Sequence, residues 1–134
     1  MKPKFETLAI KSTENTFSDV SPVSIPIYLS STYKRNADGS YKNDLVYSRN
    51  DNPNRQVVEK SIAKLENGTY AFAFSSGMAA VSAILQSLKT GDHVLLPDDI
   101  YFTIKKLFNE VLKPWGLSYS QIDMTDLQAL ENAI

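Results

Sequence analysis

Between residues 71 and 85 the sequence AFAFSSGMAAVSAIL changes its period. Alternating apolar and aromatic positions give way, across Ser75-Ser76-Gly77, to small and aliphatic residues at helical spacing. A strand ending there and a helix beginning there leave first-turn amides without intrahelical acceptors, and the helix dipole gives them partial positive charge. The chemistry such a junction supports is anion binding. Glycine lets a phosphate approach the backbone closely, and either serine can cap the helix or donate a hydroxyl. A plainer role stays open: a serine cap followed by a glycine that strand-to-helix packing requires. The tripeptide is followed by no Gly-Lys-Ser/Thr of a Walker loop and carries no G-x-G-x-x-G of dinucleotide folds.

Other reactive side chains offer less. His93 is the single histidine, and the chain has no cysteine to complete a metal site with it, so a structural place in a strand is expected. Asp98 and Asp99 are adjacent; in extended backbone they point to opposite sides and form no carboxylate pair. They read as the end of a strand.

The elements that must hold the junction are legible after Pro53. NRQVVEKSIAKLENG carries Val57, Val58, Ile62 and Leu65 on one helical stripe, with Asn67-Gly68 as a left-handed stop. TYAFAF, residues 69 to 74, predicts a short aromatic strand. Met78, Val81, Ser82, Leu85 and Leu88 carry a helix to Gly91. HVLLP, residues 93 to 97, has the continuous apolar character of a parallel strand covered on both faces. TIKKLFNEVLKPWG places Ile104, Leu107, Phe108, Val111 and Leu112 on one face and ends at Pro114 and Gly116. LSYSQID predicts a further strand, and Thr125 with Gln128 makes a capping box for a last helix through Leu127, Leu130 and Ile134. Strand and helix alternate, which implies an α/β fold with a parallel sheet and right-handed crossovers. In such sheets the junction at the carboxyl end of a strand is where ligands bind.

The stretch from about Thr16 to Pro53 is unlike the rest. It holds Pro22, Pro26 and Pro53, an Ala-Asp-Gly turn at residues 37 to 39, and no sustained period. Tyr28, Leu29, Tyr33, Tyr41, Val46 and Tyr47 are side chains that normally find something to pack on. An extended arm lying on a surface, that of another subunit included, is expected over residues 1–53, with the α/β part over 54–134.

Composition narrows the function classes. At 134 residues, 43% hydrophobic and 22% charged, the chain suits one ordinary globular domain. Its net charge of −1 is scattered, so no face is basic enough to bind nucleic acid by counterion release. Without cysteine it has no disulfide framework, thiolate nucleophile or Cys-ligated zinc. No apolar run approaches a membrane span, and the first residues lack the apolar core of a signal peptide, so a cytoplasmic protein is expected.

Five ordered segments carry a wider likeness: YSRNDNPNR at 47 to 55, IAKLENG at 62 to 68, AFSSGMAAVSAIL at 73 to 85, GDHVLLPDDIY at 91 to 101 and LKPWGL at 112 to 117. In order and spacing they resemble the Cys/Met-metabolism (transsulfuration) family of pyridoxal-phosphate enzymes, which holds cystathionine γ-synthase, cystathionine β- and γ-lyases, methionine γ-lyase and homoserine-ester sulfhydrylases. The likeness covers roughly residues 20 to 134. It implies the N-terminal arm and the first part of a mostly parallel-sheet, aspartate aminotransferase-like (fold type I) domain. The cofactor implied is pyridoxal 5′-phosphate. The implied reaction is β- or γ-elimination or γ-replacement on a sulfur amino acid or an activated homoserine. The implied assembly is a homo-oligomer, with a dimer as catalytic unit and a tetramer as its full form.

Residue by residue, Gly77 and Met78 match the positions whose amides hold the cofactor phosphate. Tyr47, Ser48 and Arg49 match the YSR segment that reaches into a neighbouring subunit's site and grips that phosphate; a guanidinium fork and a phenol suit phosphate oxygens. Tyr101 matches the tyrosine that stacks on the pyridine ring, where its hydroxyl can shuttle a proton. Many members follow that tyrosine with a run of small residues, whereas Phe102 and Thr103 follow it here, which leaves the local pocket shape and substrate preference open. The family's cofactor-bearing lysine sits in a Ser-x-Thr-Lys-type motif, and no lysine of these 134 residues has that context. The chain by itself is therefore expected to be inactive. A non-catalytic dimerising remnant of the family and an unrelated phosphate-binding α/β module are the competing expectations.

Overall fold

The computed structural model describes residues 4–11 and 22–134, so the parts of the expected arm at residues 1–3 and 12–21 lie outside the described residues. Two compact units divide the chain, Met1–Ala73 and Phe74–Ile134. The change of composition near residue 54 falls inside the first.

Unit one is built on helix α2, Pro53–Leu65. Pro53 stands at its first position, where a missing N–H is no loss, and the side chain of Asn52 caps it by accepting from the Asn54 amide at 2.8 Å. At the other end the Gly68 amide reaches back to the Ala63 carbonyl at 2.8 Å, a Schellman closure. The left-handed residue is Asn67, at φ 55°, rather than the glycine. The buried face is Pro53, Val57 and Ala63, while Val58 and Ile62 of the expected stripe stay exposed. A short helix α1, Phe5–Lys11, which the sequence had not suggested, packs on α2.

The arm departs from a simple extended strip. Residues 31–48 double back as an irregular antiparallel hairpin, with bridges Thr32 to Tyr47 and Arg35 to Tyr41 and a turn in which Gly39 takes φ 87°. Leu45 is buried there. Asn54 then pins the incoming chain: its Oδ1 accepts from the Tyr28 amide and its Nδ2 donates to the Pro26 carbonyl, each at 2.8 Å. The sequence hides this because the ladder is two isolated bridges rather than a periodic strand.

Unit two holds helix α3, Gly77–Gln86, strand β1, His93–Pro97, helix α4, Phe102–Leu107, a π-helical turn over Phe108–Leu112, strand β2, Ser118–Ile122, and helix α5, Leu127–Ala133. β1 and β2 pair in parallel from His93 opposite Ser118 to Pro97 opposite Ile122. A parallel pair needs a crossover, here α4 with the π turn. Leu85, Leu96, Phe108, Leu112 and Leu117 form the core, and the Phe108 and Tyr119 rings lie 5.0 Å apart.

Residues 69–74 are not a strand: among the described residues the only named ladder joins β1 and β2, and Tyr70 and Phe72 are exposed. Alternation assigns side chains to faces; it does not supply a hydrogen-bonded neighbour. The expected single helix over 103–116 opens at Phe108, whose carbonyl accepts from the Lys113 amide at 2.8 Å across five residues. Pro114 is the physical reason, because in an α-helix its ring would press on the carbonyl four residues back. The cap of α5 is Asp126, which accepts from the Ala129 amide at 3.0 Å, while Thr125 is occupied in a turn with Asp123.

Candidate functional site

The residues expected to act fall on two constructions. In unit two, α3 begins directly after Ser76, which sits in extended backbone and accepts from the Ala79 amide through its Oγ at 3.1 Å. That cap uses the third amide of the first turn. The amides of Gly77 and Met78 have no carbonyl behind them in the helix, so they face outward with the dipole's positive end. Gly77 is exposed, Met78 half-buried, and a Cβ built on Gly77 would meet nothing within 4 Å. A phosphate therefore has an open approach to two amides at the start of a ten-residue helix, and the residues present fit that group.

Tyr101 lies where β1 hands over to α4, at the carboxyl end of the parallel pair. Its carbonyl accepts from the Ile104 amide at 2.9 Å, and its side chain is 66% exposed. Among the described residues its hydroxyl has no hydrogen-bond partner. Asp98 closes the strand as expected, its amide donating to the Ile122 carbonyl at 3.0 Å and its own carbonyl held by Lys105 Nζ at 3.0 Å. His93 is exposed at the start of β1 and meets Ser120 Oγ at 2.9 Å, and no cluster of metal-ligating side chains occurs among the described residues. Beyond the strand, the Asp123 carboxyl is held below the usual carboxylate range by the Thr125 hydroxyl and then by the Thr125 amide.

In unit one the structure brings Tyr47 and Arg49 together: the guanidinium stands over the phenol ring, 5.1 Å from its centroid. Arg49 is exposed, and no carboxylate of the described residues lies within ion-pair range of it. Ser48 between them is half-buried, its amide committed to the Ser31 carbonyl at 2.8 Å. The loop is held by a residue outside the expected site, Arg55. Arg55, on the first turn of α2, donates from Nη1 to the Arg49 carbonyl at 3.4 Å and from Nη2 to the Asn50 carbonyl, and pairs with Asp51 at 3.1 Å and Glu59 at 3.5 Å. Gln56 donates to the other oxygen of Asp51. The signal was present in the spacing, because Asp51, Arg55 and Glu59 recur every four residues.

No helix among the described residues is long and apolar enough to cross a membrane. The model of the Cys/Met metabolism PLP-dependent enzymes matches residues 6–134. Cystathionine beta-lyase of Lactococcus lactis subsp. cremoris is 44% identical over 111 residues, 83% of this chain and 29% of that protein. Cystathionine gamma-synthase of Mycobacterium leprae is 41% identical over 113 residues, 84% of this chain and 29% of that one. Among solved structures, cystathionine gamma-lyase from Lactobacillus plantarum, complexed with L-serine, matches with a TM-score of 0.86 at 38% identity over 98% of this chain and 34% of its own. The chain spans about a third of the length of these proteins or less.

Proposed function

The chain belongs to the Cys/Met metabolism PLP-dependent enzymes, and we propose that it furnishes the phosphate grip of an enzyme that eliminates or exchanges the β- or γ-substituent of a sulfur amino acid or activated homoserine. The observation that carries this reading is the open first turn of α3, where Ser76 caps Ala79 and leaves the Gly77 and Met78 amides facing outward beside a glycine without a Cβ.

Each residue has a role that its setting supports. The two amides would hold the cofactor phosphate, and Tyr101, with an exposed ring and an uncommitted hydroxyl, would lie on the pyridine face. Tyr47 and Arg49, with Ser48 between them, would reach the phosphate of a neighbouring subunit, which makes at least a dimer the working unit and a tetramer its assembled form. When bound, pyridoxal 5′-phosphate supplies the electron sink that renders the substrate Cα–H acidic. The chain's own residues bind and orient, and Tyr101 moves a proton near the substrate amine. A cytoplasmic setting belongs to the same reading.

Relatives named for β-lyase, γ-synthase and γ-lyase reactions match at 44%, 41% and 38% identity, a spread too narrow to choose among them. No lysine of these 134 residues stands in the Ser-x-Thr-Lys context, so we propose that the 134 residues alone neither retain the cofactor covalently nor turn over cystathionine. The test is to add pyridoxal phosphate to residues 1–134, reduce with borohydride and locate labelled lysines by mass spectrometry. One stoichiometrically labelled lysine together with keto-acid release would overturn it. Titration with ribose phosphate alongside is the second arm: equal affinity for the two esters would point to a general phosphate binder.

A further inference from the structure

We propose that Arg55, acting with Glu59, is the positioning residue of the arm's phosphate clamp. The inference rests on the reading of Arg49 as a phosphate ligand. The Arg55 guanidinium is turned to groups of its own chain: its Nη1 and Nη2 take the carbonyls of Arg49 and Asn50, and its Nε faces Glu59 Oε1 at 3.5 Å. Holding two successive carbonyls fixes the peptide plane between residues 49 and 50. That plane sets the direction in which the Arg49 side chain leaves the backbone. A lysine, with one compact ammonium, cannot span both carbonyls in this way.

Magnitudes argue for geometry over stability. The Arg55 and Asp51 side chains are each 34% exposed, and half-open ion pairs of this kind contribute under about 1 kcal/mol. The Arg55 Nε is buried without a hydrogen bond, an arrangement that stability alone would not favour. Glu59 is more enclosed, at 18% exposed, and its Oε1 also accepts from the Ala73 amide at 2.9 Å. One carboxylate thus joins, within the first unit, the arginine that shapes the clamp loop to the backbone three residues ahead of Ser76 in the sequence. Loop 47–51 is held to α2 from a second side by Gln56 on Asp51, so removal of the Arg55 guanidinium loosens the loop's shape without releasing the loop.

The experiment is a double-substitution cycle in the assembled, cofactor-loaded protein, reading the dissociation constant of pyridoxal phosphate by absorbance, with melting temperature as control. Arg55→Gln is expected to weaken cofactor binding about tenfold, the scale of one misplaced hydrogen bond to a charged group. On an Arg49→Ala background the same change is expected to have no further effect on the cofactor, because the side chain it positions is gone. Arg55→Lys, which keeps the charge beside Asp51 and Glu59, is expected to fall between and to serve if the glutamine variant does not assemble. Additive losses in the double variant would overturn the proposal and make Arg55 a general stabiliser. Unchanged affinity in Arg55→Gln and Arg55→Lys while Arg49→Ala is weakened would also overturn it and leave the clamp standing. Unchanged affinity in Arg49→Ala would remove the clamp itself and this inference with it.

Discussion

The Arg49 guanidinium lies over the ring of Tyr47, 5.1 Å from its centroid, although the two residues are neighbours but one in an exposed loop. The ring therefore gives the cation an aromatic face to rest on. Tyr47→Phe keeps the platform and loses the hydroxyl; Tyr47→Leu loses both. In the assembled enzyme the leucine variant is expected to retain the cofactor less well than the phenylalanine variant by about 0.5–1 kcal/mol, the usual scale of an exposed cation–π contact. Equal retention in the two variants would show that the ring does not orient Arg49.

Ser76→Ala removes the only side-chain acceptor on the first turn of α3 among the described residues and returns the Ala79 amide to the set without partners. The expected cost is about 1 kcal/mol in chemical denaturation, with Ser76→Gly losing only a few tenths. Cofactor binding should weaken as well, since a frayed first turn no longer presents the Gly77 and Met78 amides together. A stability loss in Ser75→Ala as large as in Ser76→Ala would assign the cap to the wrong serine.

Gly116 takes φ 90°, and a Cβ there would come within 2.5 Å of Thr90 Cγ2. Gly116→Ala is expected to destabilise the protein by about 1–3 kcal/mol through backbone strain and this clash. Thr90→Ser removes the clashing methyl and keeps the hydroxyl that donates to the Trp115 carbonyl at 3.1 Å. The double variant should recover part of the loss, and the remainder measures the strain at positive φ. No recovery in thermal melts would mean that the methyl had not been the obstacle.

The Asp123 carboxyl is held low, first by the Thr125 hydroxyl and then by the Thr125 amide. Its folded pKa lies below the unfolded one, so the associated stabilisation is present above the unfolded pKa and is lost as pH falls through the folded one. Thr125→Val deletes the larger cause and leaves the backbone bond. The carboxyl-carbon titration of Asp123 followed by NMR should move up toward the ordinary aspartate value, and the variant should be less sensitive than the parent below about pH 4. A titration unchanged by the substitution would refute the hydroxyl as the main cause.

Much of this protein could be read from its residues. Helical period located α2, α3 and α4 because 3.6-residue spacing is a local property, although in α2 the face that is buried is Pro53, Val57 and Ala63 rather than the whole expected stripe. The β1 and β2 segments announced themselves by apolar run and length, and Ser75-Ser76-Gly77 marked the capped start of α3 because helix caps are made by adjacent residues. The roles proposed for Tyr47, Ser48, Arg49, Gly77, Met78 and Tyr101 rest on the resemblance of their motifs to those of the family. Tertiary structure decided what depends on distant partners. Residues 69–74 have a strand's alternation, yet they form no strand, since a ladder needs a second chain segment at hydrogen-bonding distance. The chain leading into the arm's hairpin is pinned by Asn54 catching backbone 26 residues earlier, and the π turn at Phe108 reflects how Pro114 and the core had to be accommodated together. Arg55 is the clearest case. Its four-residue spacing to Asp51 and Glu59 was visible, but only folding could bring its fork onto the carbonyls of Arg49 and Asn50, because every loop carbonyl looks the same in a sequence and only position distinguishes them.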